Sequence, residues 1–102
     1  MKKREFSIVI QKDEERKLRK VKGYFTYLND TRVFIYHDII YRSWYVIDIE
    51  TGFAFASGIT MSEAKVNGID KMQSFKKYQE RSDYNSLRIK YRSMIKEELY
   101  EK

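Results

Sequence analysis

Between Trp44 and Gln79 the apolar residues change their spacing, and that change fixes the kind of fold open to this chain. Residues 44–49 read Trp-Tyr-Val-Ile-Asp-Ile. Apart from Asp48 they are aromatic or β-branched, which suits a pleated and half-buried surface. Alternation puts Tyr45, Ile47 and Ile49 on one face and Trp44, Val46 and Asp48 on the other. Glu50-Thr51-Gly52 is a turn signal, since glycine tolerates positive φ. Phe53, Phe55 and Ser57 then alternate with Ala54 and Ala56, whose small side chains leave room for a helix, and Gly58 ends the strand. Thr60 with Glu63 fits a capping box. Met61, Ala64, Gly68, Met72 and Phe75 follow at spacings of three and four, one face of a helix. Gly68 costs that helix roughly 1 kcal/mol against alanine. It marks either a close approach to the alanine face or a mild defect.

The flanking segments extend this pattern in both directions. Phe6, Ile8 and Ile10 alternate with Ser7 and Val9 as a first strand. Residues 12–20 are almost entirely charged and read as a hairpin tip or a short exposed helical turn. They are either a basic finger for a phosphate backbone or a solvated loop that guards a hairpin against aggregation. Residues 21–28 read as a second strand, with Gly23 marking a bulge or a close backbone approach. Asn29-Asp30-Thr31 is a turn, and Val33–Tyr36 a third strand. His37-Asp38 interrupts it, and Ile39–Tyr41 continue extended towards the central hairpin. Residues 80–83 break the helical spacing, with Ser82 or Asp83 as N-cap. A second helix then presents Tyr84, Leu87, Tyr91, Met94, Ile95 and Leu99 on one face. This face packs on the domain, projects as an arm or forms a homodimer seam. The expected fold is one α+β domain over residues 1–102, mostly β over 1–58. It is an antiparallel meander of four to five strands, a packed helix over 60–80 and a C-terminal helix over 83–100.

Catalytic chemistry finds little footing in these residues. There is no cysteine, which removes disulfides, thiolate metal sites and thiol nucleophiles together. His37 is the one histidine, and Asp38 beside it points to the opposite face of an extended segment, so the two make no dyad. No glycine-rich phosphate loop, serine nucleophile motif or calcium-loop spacing is present. The expectation is a non-enzymatic protein with no cofactor and no metal. No apolar run approaches the roughly 20 residues of a membrane span, and the basic N-terminus lacks a signal-peptide core. A cytoplasmic protein with no membrane partner is expected.

The charge distribution carries more. Residues 1–22 have net charge +5, residues 23–70 have −3 and residues 71–102 have +4, which together give +6. Positive charge therefore sits at both ends, around an aromatic-rich centre. Such a chain suits nucleic acid, a nucleic-acid-binding protein or another acidic surface, or simply a well-solvated exterior. The candidate contacts are Lys3, Arg4, Arg16, Lys17, Arg19 and Lys20 at one end. At the other, Arg88, Arg92 and Lys96 form a stripe at spacing four. Aromatic and basic residues also interleave from Tyr24 to Tyr45, as in sheets that stack unpaired bases. Tyr36, Tyr41 and Arg42 are the candidates there.

The run from Trp44 to Ala64, strand, Thr-Gly turn, strand, then Gly-x-Thr-x-x-Glu-Ala opening a helix, resembles the arm-type DNA-binding modules at the N-termini of tyrosine recombinases. That resemblance covers about a fifth of the chain. It implies a sheet laid in the major groove with a helix behind it. The present hairpin departs from that pattern in being apolar and poor in Arg and Lys. More broadly, the chain resembles small orphan proteins of phages and integrative elements in AT-rich Gram-positive bacteria, anti-CRISPR proteins among them. The leading expectation is binding to nucleic acid or to a nucleic-acid-handling protein through the basic ends. The alternatives are inhibition of a host defence nuclease and a self-associating structural role.

Overall fold

The computed structural model describes residues 3–12 and 15–100, with side chains described over 3–10 and 15–91. Five antiparallel strands lie side by side in chain order: β1 (Arg4–Lys12), β2 (Glu15–Leu28), β3 (Thr31–Asp38), β4 (Ser43–Asp48) and β5 (Ala54–Gly58). Two helices follow, α1 (Met61–Gln79) and α2 (Ser82–Tyr100). This is the α+β meander expected from the alternating segments. β3 lies at its centre. Val33, Phe34, Ile35 and Tyr36 are all buried, so this strand is covered on both faces.

On one face, Leu28, Val33, Ile35 and Val46 meet Ala64, Met72 and Phe75 of α1. The buried residues of α1 are Ala64, Gly68, Met72 and Phe75, the face given by their spacing. A Cβ added to Gly68 would lie 2.6 Å from Leu28 Cδ1. Glycine is therefore the residue that lets α1 settle onto β2 and β4. The Thr60 hydroxyl accepts the Glu63 N–H at 3.1 Å and starts the helix.

On the other face the sheet curls. Phe6 and Ile8 of β1 come over Phe34, and the Phe6 and Phe34 rings are 5.0 Å apart. The Val9 N–H donates to the Gly52 carbonyl at 2.8 Å, which ties β1 to the β4–β5 turn. Leu87 and Tyr91 of α2 close this second cluster. α2 therefore packs on the domain through its described side chains, while Met94, Ile95 and Leu99 lie outside the described residues. The start of α2 is fastened by a buried carboxylate. Asp48 is 4 % exposed and its Oδ2 accepts from Tyr84 Oη at 2.7 Å and from Thr51 Oγ1 at 2.8 Å. Its Oδ1 accepts the Glu50 N–H at 3.1 Å. Burial pushes this carboxyl above its ordinary pKa, against the pull of those hydrogen bonds.

Three local expectations need correction. The charged stretch is neither tip nor helical turn over residues 15–20. It is the first half of β2, held extended by pairing such as Ile8 with Arg19 and Ile10 with Lys17. Second, β3 is not interrupted at His37 but runs through Asp38, and residues 39–42 are a turn rather than an extension. Asp38 Oδ1 accepts the N–H groups of Ile40 at 2.9 Å and Tyr41 at 3.1 Å, and Arg42 takes φ 54. Third, Phe53 and Phe55 do not share a face. Val46 pairs with Ala56 and Ile47 with Ala54, so Phe55 is an extra residue in a bulge. Phe53 lies beside Tyr91, whereas Phe55 stacks flat on Phe75 at 4.2 Å.

Candidate nucleic-acid interface

β2 is longer than the strand it shares with β3. Gly23–Leu28 pairs with β3, while Glu15–Lys22 pairs with β1 alone. The sheet forks at Gly23, and the residue suits the crowding there. A Cβ would collide with the Ile35 carbonyl oxygen and lie 2.8 Å from Phe34 Cζ and from Tyr36 Cβ.

The fork opens a cleft of about 520 Å³ between the first half of β2 and the β3–β4 turn. Lys3, Arg19, Lys20 and Lys22 line it on the basic side, with Tyr36, His37, Asp38, Ile39 and Ile40 opposite. A smaller recess of about 210 Å³ adjoins it, shares Lys3, Lys22, His37 and Ile39, and adds Tyr24 and Trp44. Period-two geometry divides this grouping: Arg19, paired with Ile8, and Tyr36 lie on the face of the Phe6 cluster. Lys20, Lys22 and Tyr24 alternate along one face of β2, and His37 pairs across to Trp44 on that same face. Farther along, this face is the one that α1 covers through Val33, Ile35 and Val46. Trp44 is half-buried, packing against the cluster under α1 as well as lining the smaller recess. The His37 and Trp44 rings lie 5.0 Å apart at 31°.

The electrostatics are one-sided. Among the described lining residues Asp38 is the one acid, and its carboxylate is turned onto the N–H groups of Ile40 and Tyr41. Tyr36 forms part of the floor and is 7 % exposed. Burial first, then the negative charge of Asp38, pushes its phenol up to about 12, so it stays neutral near physiological pH.

The candidate residues from the sequence divide among several places. Lys3, Arg19 and Lys20 meet in the cleft, and Tyr36 lies beneath them. Tyr41 and Arg42 stand exposed on the adjoining turn. Arg4 is exposed on β1 opposite Gly23. Arg16 is drawn away over the Phe53 ring at 5.2 Å, and Lys17 pairs with Glu15 at 3.7 Å. Arg88 is on α2, where it donates to Asn85 Oδ1 at 3.0 Å, and it does not line the cleft. Arg92 and Lys96 lie outside the residues with described side chains. The two basic ends are therefore not joined in this site. Lys22, Tyr24, His37 and Trp44 are members that the charge count alone misses. The signal for Lys22 and Tyr24 is the alternation Lys20-x-Lys22-x-Tyr24, visible once residues 15–28 are read as one strand, whereas His37 and Trp44 join through the pairing of β3 with β4.

Among the described residues no group of three or more His, Cys, Asp or Glu could hold a metal ion, and no helix is long and apolar enough to cross a membrane. Neither a family model, a curated protein nor a solved structure matches this chain.

Proposed function

We propose that this protein is a non-enzymatic binder of single-stranded nucleic acid, held in the cleft at the fork. The observation that carries this reading is the meeting of Lys3, Arg19, Lys20 and Lys22 with Tyr24, His37 and Trp44 on one open end of the sheet. Cations spaced along a strand match the regular negative charge of a phosphate backbone. Aromatic side chains beside them supply faces on which unpaired bases stack, whatever their sequence. Asp38, the one acid among the described lining residues, is already engaged by backbone N–H groups, so it opposes the polyanion weakly.

The test is fluorescence anisotropy of a labelled mixed-sequence oligonucleotide over a range of salt. Four phosphate contacts predict a slope of about −3 in log K against log salt, at roughly −0.7 per contact for single strands. Arg19→Gln and Lys22→Gln each flatten that slope by about one contact, whereas Arg88→Gln leaves it unchanged. Binding that ignores salt, or that responds to Arg88 and not to the cleft, removes this reading.

A further inference from the structure

The β3–β4 turn beside the cleft carries three consecutive apolar side chains that the fold does not use. Ile39 is 82 % exposed, Ile40 75 % and Tyr41 72 %. Such a tip is costly to leave in water and is a mark of a contact surface. It is also held in one shape. Asp38 Oδ1 receives the N–H groups of both Ile40 and Tyr41, and Arg42 closes the turn at φ 54. The tip is continuous with the cleft: Ile39 lines both recesses and Ile40 lines the larger.

From this juxtaposition we infer that the turn is a wedge that seats on the last base pair of a duplex, so that the preferred ligand is a junction where paired strands part. The inference rests on the reading of the cleft as a nucleic-acid site and names the substrate class of that site. The end of a stacked duplex presents a flat, largely apolar face. Apolar side chains are the groups that cover or part such a step. A strand peeling away over Ile39 meets Lys3 and Lys22 at once, with Trp44 and Tyr24 behind them as stacking faces. Arg42, exposed on the same turn, is placed for a phosphate of the second strand. An anionic bilayer would also accept an apolar tip ringed by cations. It would leave the aromatic recess behind the tip without a use, whereas unpaired bases fill it.

The experiment compares three labelled probes at fixed salt: a duplex ending in two non-complementary arms, a blunt duplex of the same sequence, and one arm alone. The protein is compared with an Ile39→Ser/Ile40→Ser variant. Both positions are exposed, the bonds from the Ile40 and Tyr41 N–H groups to Asp38 are made by backbone and do not depend on the replaced side chains, and circular dichroism checks the fold. The wild type is expected to bind the forked probe about tenfold tighter than either other probe. In the variant that preference disappears, and the forked probe and the single arm bind it within about twofold of each other. A 2-aminopurine at the junction brightens on binding the wild type and not the variant. Equal affinity for the fork and the single arm, or a preference that survives in the variant, overturns the wedge and leaves the cleft reading standing. If no oligonucleotide binds, or if the protein adsorbs only to phosphatidylserine vesicles, the cleft reading falls and the wedge falls with it.

Discussion

Replacing Tyr84 with Phe removes one oxygen from the centre of the molecule and leaves the packing almost intact. The ring keeps its edge contact with Phe75 at 6.2 Å and with Tyr78 at 5.2 Å. What is lost is the hydroxyl that donates to Asp48 at 2.7 Å and receives Gln79 Nε2 at 3.2 Å. A hydrogen bond to a charged group contributes about 1.5–3 kcal/mol. Thr51 remains on the same carboxylate oxygen at 2.8 Å, so Asp48 is not left bare. The loss at neutral pH should therefore be about 2 kcal/mol. The pH dependence sharpens the test. Burial raises the Asp48 pKa in the folded chain above its unfolded value. Proton uptake by Asp48 thus favours the fold fully below the unfolded pKa, and that contribution disappears as pH rises through the folded pKa. Without the Tyr84 bond the carboxyl is raised further. The deficit of the variant should then be largest at neutral pH and shrink on mild acidification. Urea unfolding followed by circular dichroism, at neutral and mildly acidic pH, measures both effects. A loss under about 0.5 kcal/mol, or a deficit that grows as pH falls, would refute the role given to this bond.

Other substitutions probe separate parts of the fold. Gly23→Ala places a methyl against the Ile35 carbonyl at the fork and should cost about 1–3 kcal/mol, read from the urea midpoint. Phe75→Ala empties the stack on Phe55 and should cost about 3–5 kcal/mol in the same assay. Asp38→Ala frees the N–H groups of Ile40 and Tyr41, so hydrogen exchange at those two amides should accelerate while the amide of Val46 in β4 keeps its protection. Val66→Lys, on the outer side of α1 at 56 % exposure, should change stability by less than about 0.5 kcal/mol.

The helix face of α1 was legible because a period near 3.6 is written into five residues, and nothing in the tertiary structure opposes it. The split of residues 44–49 into Tyr45, Ile47 and Ile49 against Trp44 and Val46 was legible for the same kind of reason, and the two clusters divide accordingly. The identity of residues 15–20 as strand was not. Charged side chains have little intrinsic preference for a sheet, and the pairing with β1 decides the matter. Asp48 and Tyr84 are separated by 36 positions, so their bond has no local signature. Nor does the bulge at Phe55, which depends on how β4 and β5 meet. Half of the cleft could be read as basic residues in the first segment. The other half follows from the fork at Gly23, which is a property of unequal strand lengths and not of any one motif.

The order of the strands also bears on how the chain reaches this structure. Each strand pairs with the one made just before it, so almost every sheet contact closes a short loop. Short loops are cheap in entropy, and chains built from them fold quickly. Contacts such as Val9 against Gly52 and Tyr84 against Asp48 do not share that advantage. The hypothesis is a meander that zips early and is locked late, first by curling β1 onto the far turn and then by seating α2. Mutations at Phe34 should accordingly slow folding, whereas Tyr84→Phe should mainly speed unfolding. Stopped-flow chevrons of the two variants with the opposite assignment of arms would reverse this order of events.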